Sequence, residues 1–214
     1  MMNRKSYLIE ATMSTLVNDT DRRLIEHEYA AARFTVDEYF GMVSRDAFAG
    51  LGRLELLEGV LVRKMTKNPP HRVALGKTER GLRAIIGSGW HLANQEPMRL
   101  SASAPEPDLA VVRGEIEDYL ERHPGAADVG LVVEVADESL QTDHRKATTY
   151  AAEGVQQYWI VNLPDRCVEA FLNPDSTSDP PHYVERKVYR DGDSIPVVID
   201  DTEVGVLQVA DMLP

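Results

Sequence analysis

Three ionisable residues stand where packing alone does not place them. Asp108 follows Pro107 at the start of an apolar run, Glu134 interrupts the most apolar stretch of the chain, and Lys146 lies in the segment after it. A carboxylate in a central strand costs several kcal/mol unless it is paired or coordinates a cation. Two such carboxylates converging from neighbouring strand ends can hold a hard divalent ion, with oxygen ligands and several retained waters, as magnesium prefers. A lysine close by can orient a water or stabilise charge on phosphate oxygens. The spacing fits a plainer arrangement as well: a buried Lys146–Glu134 ion pair, with Asp108 as a turn residue.

Motifs for other chemistries fail. Gly76-Lys77-Thr78 resembles the end of a phosphate loop, but the glycine required five residues earlier is His71. His27-Glu28 has no second histidine at helical spacing, and a single cysteine cannot build a zinc site. No Gly-x-Ser-x-Gly elbow places a nucleophilic serine. Cys167, beside Arg166 in a polar stretch, reads as incidental.

Composition sets the frame for these residues. With 214 residues, 43% hydrophobic and 27% charged, the chain is that of a globular protein. Its apolar runs are too short to cross a bilayer, and no secretory signal opens it. With Cys167 alone it needs no oxidising compartment, so a cytoplasmic location is expected. The net charge of -12 argues against unspecific coating of a polyanion. One 21-residue stretch runs against that average: Arg63, Lys64, Lys67, Arg72, Lys77, Arg80 and Arg83 are opposed only by Glu79. It reads either as a solvated helix face or as a phosphate-facing surface.

The elements that must position these groups follow from hydrophobic period and punctuation. Residues 1–33 read as an N-terminal extension, with a helix from Asp21 to Ala32. Thr35 and Glu38 form a capping-box pattern for a helix reaching about Phe48. Leu54–Leu56 and Val60–Val62 flank Glu58-Gly59 as a hairpin. After Asn68-Pro69-Pro70, Leu75, Thr78, Leu82, Ile85 and Ile86 recur at helical spacing. Strands are expected over Trp90–Asn94, Met98–Ser101, Asp108–Val112 and Val129–Val135, the last covered on both faces. A polar helix or loop fills Glu115–His123. Ser139 caps a helix ended by Gly154, and strands follow around Gln157–Val161, Val168–Leu172, His182–Tyr189 and Val197–Ile199, with a flexible loop over Asn173–Pro181. The outline is mixed α/β with a β-rich C-terminal part.

Several of these motifs in order resemble one family. They are Pro107-Asp108-Leu-Ala-Val-Val, Val133-Glu134-Val135 with Ser139-Leu140, Asp143 through Lys146 and Tyr150 to Gly154-Val155, and Tyr158-Trp159-Ile160-Val161. With Phe34–Tyr39, the Leu54–Gly59 hairpin and His71, they are similar to the Uma-two family of the PD-(D/E)xK restriction-endonuclease-like superfamily. The likeness spans roughly 34–214, a single domain. It implies a restriction-endonuclease-like core, a mixed central β-sheet flanked by helices, and a metal-dependent DNA endonuclease. Asp108 and Glu134 would be the metal ligands, joined by a backbone carbonyl near Val135, with Mg2+ as cofactor and Mn2+ as its substitute. Ala136 stands where the superfamily has its lysine, so the resemblance moves that role to Lys146, which shares a helix face with Asp143 and Tyr150. Glu58 is a further acid by resemblance, or else a solvated turn residue. His71 would face phosphate or assist proton transfer, or else cap or pack. Arg63, Lys64, Lys67, Arg72, Lys77 and Arg80 would track the DNA backbone, and a homodimer is expected for cutting two strands. Two other readings stand beside this one: an inactive interaction module on the nuclease fold, and a phosphodiesterase acting on RNA or a small nucleotide.

Overall fold

Thr35 opens the first described helix as its capping pattern requires, accepting from the Glu38 N–H at 3.2 Å while the Glu38 carboxylate accepts from the Thr35 N–H at 2.8 Å. The structure, a computed structural model, describes residues 32–64 and 67–214. The expected extension and the Asp21–Ala32 helix lie outside these, apart from residues 32 and 33. The chain forms two compact units. One takes the described residues up to Lys64 together with Ser101–Pro105, and the other takes the rest.

In the first unit, helix α1 (Val36–Val43) precedes the hairpin of β1 (Leu54–Leu57) and β2 (Val60–Arg63). The helix ends at Val43, not near Phe48. Ser44 turns its hydroxyl to the Gly41 carbonyl, and Asp46 takes a left-handed φ of 56°. The bend brings Phe48 onto the Tyr39 ring, centroids 5.9 Å apart. Glu58 and Gly59 make the hairpin turn at φ 49° and 79°, the doubly left-handed geometry such turns demand. Leu56 and Ala104 exchange backbone hydrogen bonds, and both are buried with Val36 and Tyr39 in this unit's core.

The second unit is built on a six-stranded sheet. Helix α2 (Pro69–Ile85) leads into β3 (Trp90–Asn94), β4 (Leu109–Arg113) and β5 (Val129–Ala136). Helix α3 (Leu140–Ala152) crosses over to β6 (Gln157–Asn162), followed by β7 (Cys167–Asp175) and β8 (His182–Arg190). The strand order is β3-β4-β5-β6-β7-β8, and only β5 and β6 run parallel, as their helical crossover dictates. A separate hairpin, β9 (Ser194–Ile199) with β10 (Thr202–Gln208), packs with α2 on one face. There Leu75 and Leu82 meet Val133, Trp159 and Ile195. A Cβ on Gly81 would stand 2.9 Å from Leu207 Cδ2, so glycine lets α2 approach β10. On the other face α3 lays Ala147, Tyr150 and Ala151 over Val132, Tyr158 and Ile160.

Two expectations are corrected here, and one strand is added. Met98–Ser101 is not a strand: Pro97 offers no donor, the Arg99 N–H bonds to the Pro124 carbonyl, and Met98 and Leu100 are buried without a ladder. The loop over Asn173–Pro181 shrinks, because β7 continues to Asp175 with Pro174 opposite Tyr183. The Asp175 carboxylate then closes the turn on the N–H groups of Thr177 and Ser178. Strand β10, whose apolar positions are interrupted by Gly205, went unforeseen; its register shifts between Glu203 and Gly205. Among the described residues no helix is long and apolar enough to cross a membrane.

Candidate active site

Side-chain alternation aims Asp108 and Glu134 at the α3 face. Asp108 immediately precedes β4 and Glu134 lies within β5, where Leu109 stands opposite Val133. The pair is tied directly: the Asp108 N–H donates to Glu134 Oε2 at 3.2 Å, and the Val135 N–H donates to Asp108 Oδ2 at 3.0 Å. Lys146, projecting from α3, donates to Glu134 Oε1 at 2.9 Å, with both side chains almost wholly buried. The predicted helix face is present, since Asp143, Lys146 and Tyr150 are all buried on it. Ser139 sits at the N-cap but does not cap; its hydroxyl donates to Asp143 Oδ2 at 2.6 Å.

Other groups close around Asp108. His71, in the first turn of α2, places Nε2 3.1 Å from Asp108 Oδ2 while its Nδ1 is buried without a hydrogen-bond partner. Gln95, held at φ 58° just after β3, donates to Asp108 Oδ1 at 3.0 Å. The Lys67 ammonium lies 3.9 Å from the same oxygen. The centre thus carries three carboxyl groups, Asp108, Glu134 and Asp143. Burial first, and then the Glu134 charge, push the Asp143 carboxyl up to about 8, while Lys146 and Ser139 pull against the rise. No group of three or more His, Cys, Asp or Glu side chains among the described residues is arranged to share a metal ion.

Of the residues singled out in the sequence, Asp108, Glu134, Val135, Lys146, His71 and Lys67 come together here. Glu58, Arg63 and Lys64 belong to the first unit, where the Glu58 N–H donates to Ser103 Oγ at 2.9 Å. Arg72 and Arg80 are exposed on α2, whereas Lys77 directs its ammonium to the carbonyls of Ala210 and Leu213. Gln95 was missed, since its role depends on a backbone turn and a partner 13 residues away. Glu169 was missed as well. It is buried on β7 and accepts from Asn162 at 2.8 Å and from Arg186 at 2.7 Å, with His144 Nε2 2.8 Å away. Burial raises its carboxyl, but these hydrogen bonds more than offset that and hold it below the usual carboxylate range. A cavity of about 590 Å3 lined by Trp159, Tyr189 and Ile195 lies on the opposite sheet face and takes in none of the centre.

A mixed central sheet with helices on both faces is a restriction-endonuclease-like fold. One solved structure with a similar fold is described as "a putative nuclease belonging to DUF820" from Anabaena variabilis ATCC 29413. It superposes with a TM-score of 0.64 at 14% identity, covering 84% of this chain and 97% of that one. At that identity the likeness is one of fold. The model of the Uma2 (Uma-two) family, described as "putative restriction endonuclease", matches residues 36–204, and the chain belongs to that family. No curated protein matches the sequence.

Proposed function

We propose that the protein is a magnesium-dependent endonuclease that hydrolyses phosphodiester bonds in DNA. The observation that carries this reading is the tie between Asp108 and Glu134 with Lys146 bonded to the same glutamate, all buried at one end of adjoining strands. The donor set fits magnesium, which commonly takes one or two carboxylates and keeps several waters. Asp108 and Glu134, with the Val135 carbonyl, would hold the ion. When bound, it would supply Lewis-acid stabilisation of the scissile phosphate and a more acidic water.

The chain's own residues prepare that chemistry. Gln95, His71 and the Val135 N–H fix the Asp108 carboxylate from three directions, so little reorganisation is needed at the moment of reaction. Lys146, held by Glu134, orients the attacking water and opposes charge building on the phosphate oxygens. Lys67, Arg72 and Arg80 offer contacts to the flanking backbone, so binding should weaken as salt rises. Lys77 is engaged by the C-terminal carbonyls and contributes less.

The test is cleavage of supercoiled, linear and single-stranded DNA by the purified chain with magnesium, with manganese and with EDTA. Cutting that requires metal, and that Asp108→Ala and Glu134→Ala reduce by about a hundredfold or more with an unchanged circular-dichroism spectrum, is the expected result. Full activity in either variant would overturn the assignment. Metal-dependent cutting of RNA alone would move the substrate, and no cutting with no metal binding would leave an interaction module.

A further inference from the structure

Strand β8 reads alike in both directions about its central residue. Its sequence, His182-Tyr183-Val184-Glu185-Arg186-Lys187-Val188-Tyr189-Arg190, sets tyrosine against tyrosine, valine against valine and acid against base around Arg186. It is also the outer strand of the six-stranded sheet, with no strand on its far side among the described residues. We propose that this edge is a self-recognition surface: two copies of the chain pair β8 to β8 antiparallel, about a two-fold axis at Arg186.

The pairing suits the exposed positions on either side of Arg186. In that register Glu185 faces the partner's Lys187 and Lys187 faces the partner's Glu185, while in the single chain the two pair with each other, 3.0 Å apart on one strand, and Glu185 also accepts from Asn173 at 3.5 Å. Val184 and Val188, 69% and 42% exposed, meet across the axis. The one like-charge contact, Arg186 against the partner's Arg186, is already offset, because each guanidinium donates twice to its own buried Glu169, at 2.7 and 3.1 Å. Charges on an edge strand usually prevent pairing. Here opposite signs stand symmetrically about the centre, so two-fold pairing brings attraction on both flanks. Such an isologous contact closes on itself as a dimer and does not propagate. It would join two sheets into one, with the two β5 strands seven inter-strand steps apart, about 34 Å at the usual spacing.

The surface stands independently of the chemistry at Glu134. Its test is sedimentation equilibrium of the full chain over a range of concentrations, with Glu185→Lys, Lys187→Glu and the double swap. Twice the 23.9 kDa chain mass is expected for the natural sequence. Either single swap turns two attractive contacts into two repulsive ones and should raise the dimer dissociation constant by about tenfold or more. The double swap restores the complement and should return the constant to within about threefold of the original. A chain that stays monomeric, a dimer indifferent to the single swaps, or a double swap without recovery would each overturn the proposal.

Discussion

Glu134 and Glu169 occupy one row of the sheet, each opposite Ile160, one from β5 and the other from β7. Each is 2% exposed and faces α3, yet their surroundings differ in kind. Glu169 has more donors than its charge needs: Asn162, His144 and Arg186, the last two reaching solvent. Glu134 is bonded to the fully buried Lys146 and shares its surroundings with the carboxyl groups of Asp108 and Asp143. The first arrangement lowers a carboxyl below its usual range, and the second raises a neighbour to about 8. A buried acid enclosed by donors is a structural fixture, whereas one crowded by further acids gains from an added cation.

The largest break in this comparison comes from removing each acid's counter-charge. Lys146→Met strands Glu134 in the interior and is expected to cost about 3–5 kcal/mol of unfolding free energy. Glu169→Gln leaves a half-exposed Arg186 that returns to water, so its cost should be about 1–2 kcal/mol. Urea unfolding of both at neutral pH measures the gap. Equal losses would show that the two glutamates are held alike.

A smaller effect sharpens the contrast by its sign. The folded Asp143 carboxyl titrates at about 8 against 3.8 ordinarily, so its contribution is whole below about pH 4 and is lost as pH rises towards 8. The slope should reach about 1.4 kcal/mol per pH unit, and Asp143→Asn should flatten it. Glu169 works the other way. Its folded pKa lies below 4.5, so its contribution is present above that pH and is lost as pH falls through the folded value. Melting in EDTA across pH 3 to 8 should therefore show Asp143→Asn gaining on the natural chain towards high pH. Glu169→Gln should approach it towards low pH.

These differences were unevenly visible in the sequence. Asp108 and Glu134 stood out because a polar residue in or beside an apolar strand breaks a strong local pattern, and Lys146 followed from its place in the helix after that strand. Glu169 did not, because Val168-Glu169-Ala170 has the alternation of a strand with one wet face, and only the packing of α3 shows that face to be dry. Ser139 looked like a cap because its type and position are those of one, but a buried carboxyl one turn on takes its hydroxyl instead. The six strands of the central sheet were legible from periodicity, while Gln95 and the end of α1 depend on left-handed turns at Gln95 and Asp46 that no local pattern marks.

The finest test exchanges two histidines. His144→Ala takes one donor from Glu169 and leaves Asn162 and Arg186, so stability should fall by about 1 kcal/mol while DNA cutting is unchanged. His71→Ala leaves Asp108 with Gln95 and the Val135 N–H, and it also removes Nδ1, a buried atom with no partner. The lost hydrogen bond and the relieved desolvation then oppose each other, and stability should move by less than about 1 kcal/mol. The loss should fall on the cutting rate, because the carboxylate would be oriented from two directions instead of three. Urea unfolding and cleavage rates measured side by side separate the pair. A His144 variant that loses cutting, or a His71 variant that loses only stability, would place the working centre at Glu169.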